Sequence, residues 1–223
     1  KYNYMSYNTN ANTNANVYNN NSSISMTQYN NINGGCLTGG SKIKMADNTF
    51  KDMRDIQVGD KIYSQKNIRD DSTVISATVI KVIETKYNSN VDIVCIGENL
   101  GITNWHPVFN SKTDNWEYPA EFNQDKSIVS TKKKKCDSVY TLLLDKGHII
   151  FAGELNIPAV TLANHFTEGI LKHPYFATDK VIEDLKELPG WDKGHIILTP
   201  SMFKKKGPVD RKYNVKTVNK ISI

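Results

Sequence analysis

The chain has 223 residues with a net charge of +5, enough for one substantial core, so one domain with tails is the expected count. Its three cysteines, Cys36, Cys95 and Cys136, are an odd and sparse set that argues against a disulfide framework and for a reducing, cytoplasmic setting. No apolar run approaches the length of a membrane span. The basic runs Lys132-Lys133-Lys134-Lys135 and Lys204-Lys205-Lys206 lack the interleaved aromatics of a base-stacking surface, so no nucleic-acid partner is expected.

In chain order, residues 1–33 are dominated by Asn, Thr, Ser and Tyr and carry a single charged side chain, Lys1. Such a segment buries too little apolar surface to offset its ordering entropy and reads as a disordered, low-complexity linker. It begins with Lys1 rather than Met, which suggests a fragment or a processed piece, and it shows no signal-peptide apolar stretch. From Lys42 to Phe151 the apolar residues fall in short runs: Ile43 and Met45, Val79 to Ile83, Val91 to Ile96, Leu142 to Leu144, Ile149 to Phe151. Each is bounded by Gly, Asn, Asp or Pro, which predicts many short strands and an all-β body. Asp47-Asn48 and Asp145-Lys146-Gly147 stand where hairpin turns need residues that tolerate positive φ. Val181, Ile182, Leu185 and Leu188 instead have helical spacing, with Thr178 or Asp179 as the cap and Pro189-Gly190 as the stop. Beyond Met202 the chain is basic and punctuated by Gly and Pro, which predicts poor order, although Val215 to Ile223 could add an edge strand.

Against this background one pair of motifs carries chemistry. Cys36 follows Gly34-Gly35 and opens Cys36-Leu37-Thr38-Gly39; later comes Thr103-Asn104-Trp105-His106-Pro107. A cysteine whose own nitrogen belongs to the bond it attacks needs no oriented substrate, because the Gly35 carbonyl is tethered next to its sulfur. Further blocks follow in order: Asp55-Ile56-Gln57-Val58-Gly59-Asp60-Lys61-Ile62, then Trp116-Glu117-Tyr118-Pro119-Ala120. Val139-Tyr140-Thr141-Leu142-Leu143-Leu144 leads into Gly147-His148-Ile149-Ile150-Phe151. Together these resemble the Hint (hedgehog/intein) superfamily of autoprocessing domains. Val160-Thr161-Leu162-Ala163-Asn164-His165, His173-Pro174-Tyr175-Phe176 and Leu188-Pro189-Gly190-Trp191 are similar to Hint domains found downstream of von Willebrand factor type A domains.

The resemblance implies a compact, horseshoe-like all-β Hint fold with a short α-helical C-terminal extension. The expected division is 1–33 linker, 34–166 Hint core, 167–200 extension with one helix and 201–223 basic tail. It also implies self-cleavage of the Gly35-Cys36 bond, with Cys36 as nucleophile and the bond passing from amide to thioester. Gly34-Gly35 would leave the carbonyl open and the backbone free. His106, with an ordinary imidazole pKa of ~6.5, would protonate the leaving nitrogen, and Thr103 would hydrogen-bond that nitrogen or the Gly35 oxygen. His148 would assist proton transfer or hold a structural hydrogen bond. Water or an external amine or thiol would resolve the thioester, and the implied partner is the upstream part of the same polypeptide, such as a von Willebrand factor type A domain. No cofactor is implied.

The remaining candidates have plainer readings. His165, His173 and His195 lie too scattered for a metal site and read as structural. Cys95 reads as an inert core thiol; the four lysines before Cys136 would lower a thiol pKa, but proximity in sequence is the only signal for a second acyl acceptor there, and that reading is not favoured. Several departures from the family limit the activity. Asn164-His165 followed by Phe166 inverts the splicing pair and lacks its downstream nucleophile, so release without splicing is expected. The thirty or so residues between Phe109 and Val139 cannot hold an endonuclease, and the short polar sequence after His165 does not suit a sterol. Asn104 stands where many relatives have proline, which should loosen the turn presenting His106. The rival reading is a catalytically inactive Hint-fold interaction module.

Overall fold

The computed structural model describes residues 35–87, 90–122, 129–206 and 218–221, with the backbone path alone for 129–135, 203–206 and 218–220. The linker expected over 1–33 lies outside the described residues. The strands are β1 (Leu37–Thr38), β2 (Lys42–Lys44), β3 (Phe50–Asp52), β4 (Lys61–Gln65), β5 (Val74–Lys86), β6 (Asn90–Ile96) and β7 (Gly101–Thr103). β8 (Val108–Asn110), β9 (Asn115–Glu117), β10 (Val129–Lys135), β11 (Ser138–Leu144), β12 (Ile149–Ala152) and β13 (Ile157–Val160) complete the body. Helix α1 (Asp179–Lys186) follows, then β14 (His195–Leu198), β15 (Phe203–Lys206) and β16 (Val218–Ile221). The protein is mostly β, a curled sheet of mainly antiparallel strands.

Short strands are what the bounded apolar runs predict, and β5 ties them together. At 13 residues it spans roughly 40 Å, long enough to serve two parts of the sheet as it twists. Its first half pairs with β4, from Lys61↔Thr78 to Gln65↔Val74. Its second half pairs with β11, from Ser138↔Lys86 to Leu144↔Val79, and takes β14 in parallel, His195↔Val82. The hairpin turn expected at Asp47-Asn48 is present, with Asn48 at φ 67° between the paired strands β2 and β3, whereas Gly147, at φ 71°, turns the chain from β11 to β12, which pair with other strands and form no hairpin.

Two residues make β1, too few to hold themselves in place by backbone pairing. Leu37 does the anchoring: it is fully buried with Ile102, Val94 and Leu142 in the main core, where an aliphatic side chain is worth about 1.5–3 kcal/mol. It lies between Ile102 of β7 and Tyr140 of β11. Cys36, the next residue back, is therefore held by a buried neighbour paired on both sides.

A second core packs the C-terminal part onto β5 and β11. Val181, Leu185 and Leu188 meet Ile83, Leu143, Tyr175, Phe176 and Ile196 there. Helix α1 has its predicted cap, the Thr178 hydroxyl accepting from the Lys180 N–H at 3.4 Å. The edge strand expected within 215–223 is β16, which pairs with β15 in a separate two-stranded sheet rather than with the main one. It also reaches the core, because Ile221 is buried and its N–H donates to the Tyr175 hydroxyl at 3.2 Å.

Candidate functional site

Pairing of Leu37 with Ile102 sets Cys36 opposite Thr103. The Thr103 N–H donates to the Cys36 carbonyl at 3.0 Å, and the Cys36 N–H donates to Thr103 Oγ1 at 3.0 Å. The nitrogen of the Gly35-Cys36 bond is thus in the grip of a buried hydroxyl. The turn that follows is fixed: the His106 N–H donates to the Thr103 carbonyl at 3.2 Å, and the Ala120 N–H to the Asn104 carbonyl at 3.1 Å. Trp105 meets the buried Tyr118 edge-on, with ring centroids 5.5 Å apart. At Asn104 it is the carbonyl that anchors the turn, a bond that any residue type could supply.

His106 is packed against Gly35. A Cβ built on Gly35 would lie 2.7 Å from His106 Nδ1 and 2.8 Å from His106 Cα. Since the second of these is backbone and cannot swing away, only glycine fits. Gly35 therefore serves the close approach of the imidazole.

Burial also sets the protonation of the pair. The His106 imidazole is pushed down to about 4 by desolvation, against the opposing pull of the Val160 and Gly35 carbonyls. Neither ring nitrogen reaches full hydrogen-bond geometry among the described residues; the two carbonyls are near enough to favour the cation without fixing the ring. The Cys36 thiol is pushed up to about 12, first by desolvation and then by the nearby Cys136. This corrects the expectation of a partly protonated histidine: the resting site holds a neutral imidazole and a neutral thiol. Sequence reasoning missed Val160. It is an ordinary strand residue whose carbonyl is brought to His106 by the pairing of Ala159 with Val108.

The structure joins Cys36, Thr103, His106 and Gly35, and leaves His148 apart. His148 lies just before β12 and not in a strand, its carbonyl accepting from the Thr161 N–H at 2.9 Å, and its ring lies 6.1 Å from that of His165. No hydrogen bond joins it to Cys36, Thr103 or His106 among the described residues. The Asn164 side chain is occupied as well: Oδ1 accepts from the Phe166 N–H at 3.0 Å and Nδ2 donates to the Thr161 carbonyl at 3.2 Å. His165 pairs with Asp179 at 3.3 Å and His195 with Glu84 at 3.0 Å. His173 Nδ1 accepts from the Tyr175 and Phe176 N–H groups at 3.1 and 2.8 Å. Among the described residues no group of His, Cys, Asp or Glu could hold a metal ion, and no helix is long and apolar enough to cross a membrane.

Two fully buried imidazoles give acid sensitivity. Burial pushes His173 down to about 3 and His106 to about 4, whereas both titrate near ~6.5 once unfolded. Between those values the unfolded chain binds more protons. Stability is therefore complete above pH ~6.5 and is lost as pH falls towards ~4, by at most about 1.4 kcal/mol per pH unit for each histidine. Urea midpoints should drop steadily from neutral pH to pH ~5 and drop less in a His173→Asn variant. A midpoint constant over that range would show that the imidazoles take up protons where they sit.

Among curated proteins none matches the chain. Solved structures with a similar backbone include a DnaB intein from Synechocystis sp. PCC 6803, 16% identical with a TM-score of 0.43, covering 57% of this chain and 99% of that one. A bacterial intein-like domain from Clostridium thermocellum is 18% identical with a TM-score of 0.45, covering 56% of this chain and 97% of that one. Residues 35–211 match the family model Vint, described as a Hint-domain. That match starts at the glycine against which His106 packs and takes in the whole Cys36, Thr103 and His106 arrangement: the chain belongs to the Hint-domain family.

Proposed function

We propose that this self-processing domain cleaves its own Gly35-Cys36 bond by an N-to-S acyl shift and so releases or transfers the polypeptide upstream, without splicing. The observation that carries the reading is the Cys36 N–H on Thr103 Oγ1 at 3.0 Å with His106 against Gly35. Cys36 Sγ bonds to the Gly35 carbonyl carbon, the carbon–nitrogen bond breaks, and the thiol proton ends on the Cys36 nitrogen by way of His106. The neutral imidazole takes that proton as the sulfur–carbon bond forms, since a thiol at about 12 does not ionise onto an imidazole at about 4 beforehand. An imidazolium of pKa about 4 is then acidic enough to surrender it at once to an amine. Thr103 holds the nitrogen while amide planarity is lost. Water or an external nucleophile then opens the thioester, a hydrolase outcome when it is water. The von Willebrand factor type A domain as upstream partner, and a reducing cytoplasmic setting in which Cys36 stays a thiol, belong to the same reading. So do His148 as an assisting residue and the division into linker, 34–166 core, extension and tail.

The alternative, an inactive Hint-fold interaction module, draws on the same burial: a site with thiol at about 12 and imidazole at about 4 holds no thiolate at rest. Reporters fused before Lys1 and after Ile223 separate the outcomes by mass. Thiol should release the upstream reporter while the downstream one stays attached, because the Asn164 amide nitrogen is bound to the Thr161 carbonyl instead of facing its own. Two reporters joined with residues 36–164 excised would make splicing the function. No release under any thiol would leave the interaction module.

A further inference from the structure

A thioester on Cys36 has a problem of access. The residue is 4% exposed, and an external nucleophile cannot reach a sulfur it cannot touch. A cavity of about 380 Å3, open to solvent on one side, lies next to it, walled among others by Thr38, Ile93, Cys95, Glu98, Cys136 and Tyr140. Cys36 is not part of that wall, but Cys136 is. The two thiols share a small apolar cluster with Ile93 and Val139, and they interact electrostatically. The Cys136 thiol donates to the Ser138 carbonyl at 3.0 Å, which orients its sulfur at the start of β11, the strand paired with β1.

We propose that Cys136 is an internal acyl acceptor that takes the upstream polypeptide from Cys36 and presents it to nucleophiles entering the cavity. This rests on the thioester reading above. Cys136 Sγ attacks the Gly35 carbonyl carbon, the bond to Cys36 Sγ breaks, and the proton of the Cys136 thiol passes to the departing Cys36 sulfur. One thioester is exchanged for another, so no oxidant or energy source is needed. Arg54, Glu98 and Asp137 give the cavity a polar, mixed-charge wall, suited to water or a small amine as the final acceptor. Cys95, on the same wall and half-buried against the cluster that holds Cys36 and Cys136, is the control.

The product is a branched chain: residues 1–35 on the Cys136 sulfur, with a new amino terminus at Cys36. Denaturation discriminates the two thioesters. At neutral pH one on Cys36 sits beside its own free α-amine and reverts to the amide, whereas one on Cys136 has no adjacent amine. The full chain, unfolded in neutral denaturant, then acidified and mapped by mass, should contain a hydroxylamine-labile species joined at Cys136. That species should persist in Cys95→Ala and vanish in Cys136→Ala, whose release without added thiol should slow by roughly 10-fold or more. A wild-type chain that releases residues 1–35 with thiol yet never carries them on Cys136 overturns the relay and leaves the Gly35-Cys36 cleavage standing. Equal rates of release without added thiol in Cys136→Ala and the wild type also overturn it. A wild-type chain that releases nothing sinks both.

Discussion

A Cys36→Ala chain should show no cleavage at Gly35-Cys36, with or without added thiol. The reason is chemical: the peptide bond there has no other nucleophile tethered to it, and effective concentration is the main advantage of an intramolecular attack. Thr103 and His106 would remain but would have nothing to assist. The substitution is small for a residue bordering Ile93 and Val139, about 1 kcal/mol of lost packing, so the fold should survive and loss of cleavage will report chemistry. Matching thermal transitions for the two chains check that point, and mass after prolonged incubation reads the cleavage.

Truncating His106 should slow release by roughly 10²-fold or more, and for a different reason. The ring takes a proton from the thiol and delivers it to the nitrogen, so its loss leaves both half-steps to water that the buried site excludes. Neither ring nitrogen holds a hydrogen bond of full geometry, so His106→Ala orphans no strong partner. Thr103→Ala should act in the same direction but more mildly, leaving the buried Cys36 N–H without the Oγ1 it now uses. The pH profile of the wild-type chain separates this account from that of an ordinary histidine. With the imidazole at about 4, release should not lose its base near pH ~6.5 but only towards pH ~4. Wild-type rates in both variants would remove the Thr103-His106 pair from the mechanism even if Cys36 remained.

The parts of this site legible in the sequence were those set by residue type and order. Cys36 after two glycines and Thr103-x-x-His106 named the residues that now meet, and the spacing of Val181, Leu185 and Leu188 named the helix and its buried face. What the sequence could not show was environment. The His106 protonation state depends on complete burial and on the carbonyls of Gly35 and Val160, and the latter comes from a strand some fifty residues away whose side chain gives no sign of it. Gly35 was legible as glycine but not as the glycine an imidazole needs close by. His148 matched a motif, yet its ring faces His165, because which way a side chain just before a strand turns depends on neighbours from other elements. Cys136 followed four lysines, whose side chains lie outside the described residues. Its interest lies in sharing a cluster with Cys36 and lining a cavity, both products of tertiary folding.

The central claim is a thioester at Gly35-Cys36, and intact mass of the full chain incubated with and without dithiothreitol tests it most directly. The account predicts conversion with thiol into two species, residues 1–35 carrying a C-terminal thioester or acid and a chain beginning at Cys36, with slower conversion when thiol is absent. A chain that keeps its full mass after long incubation with thiol at neutral pH, folded throughout, would contradict it.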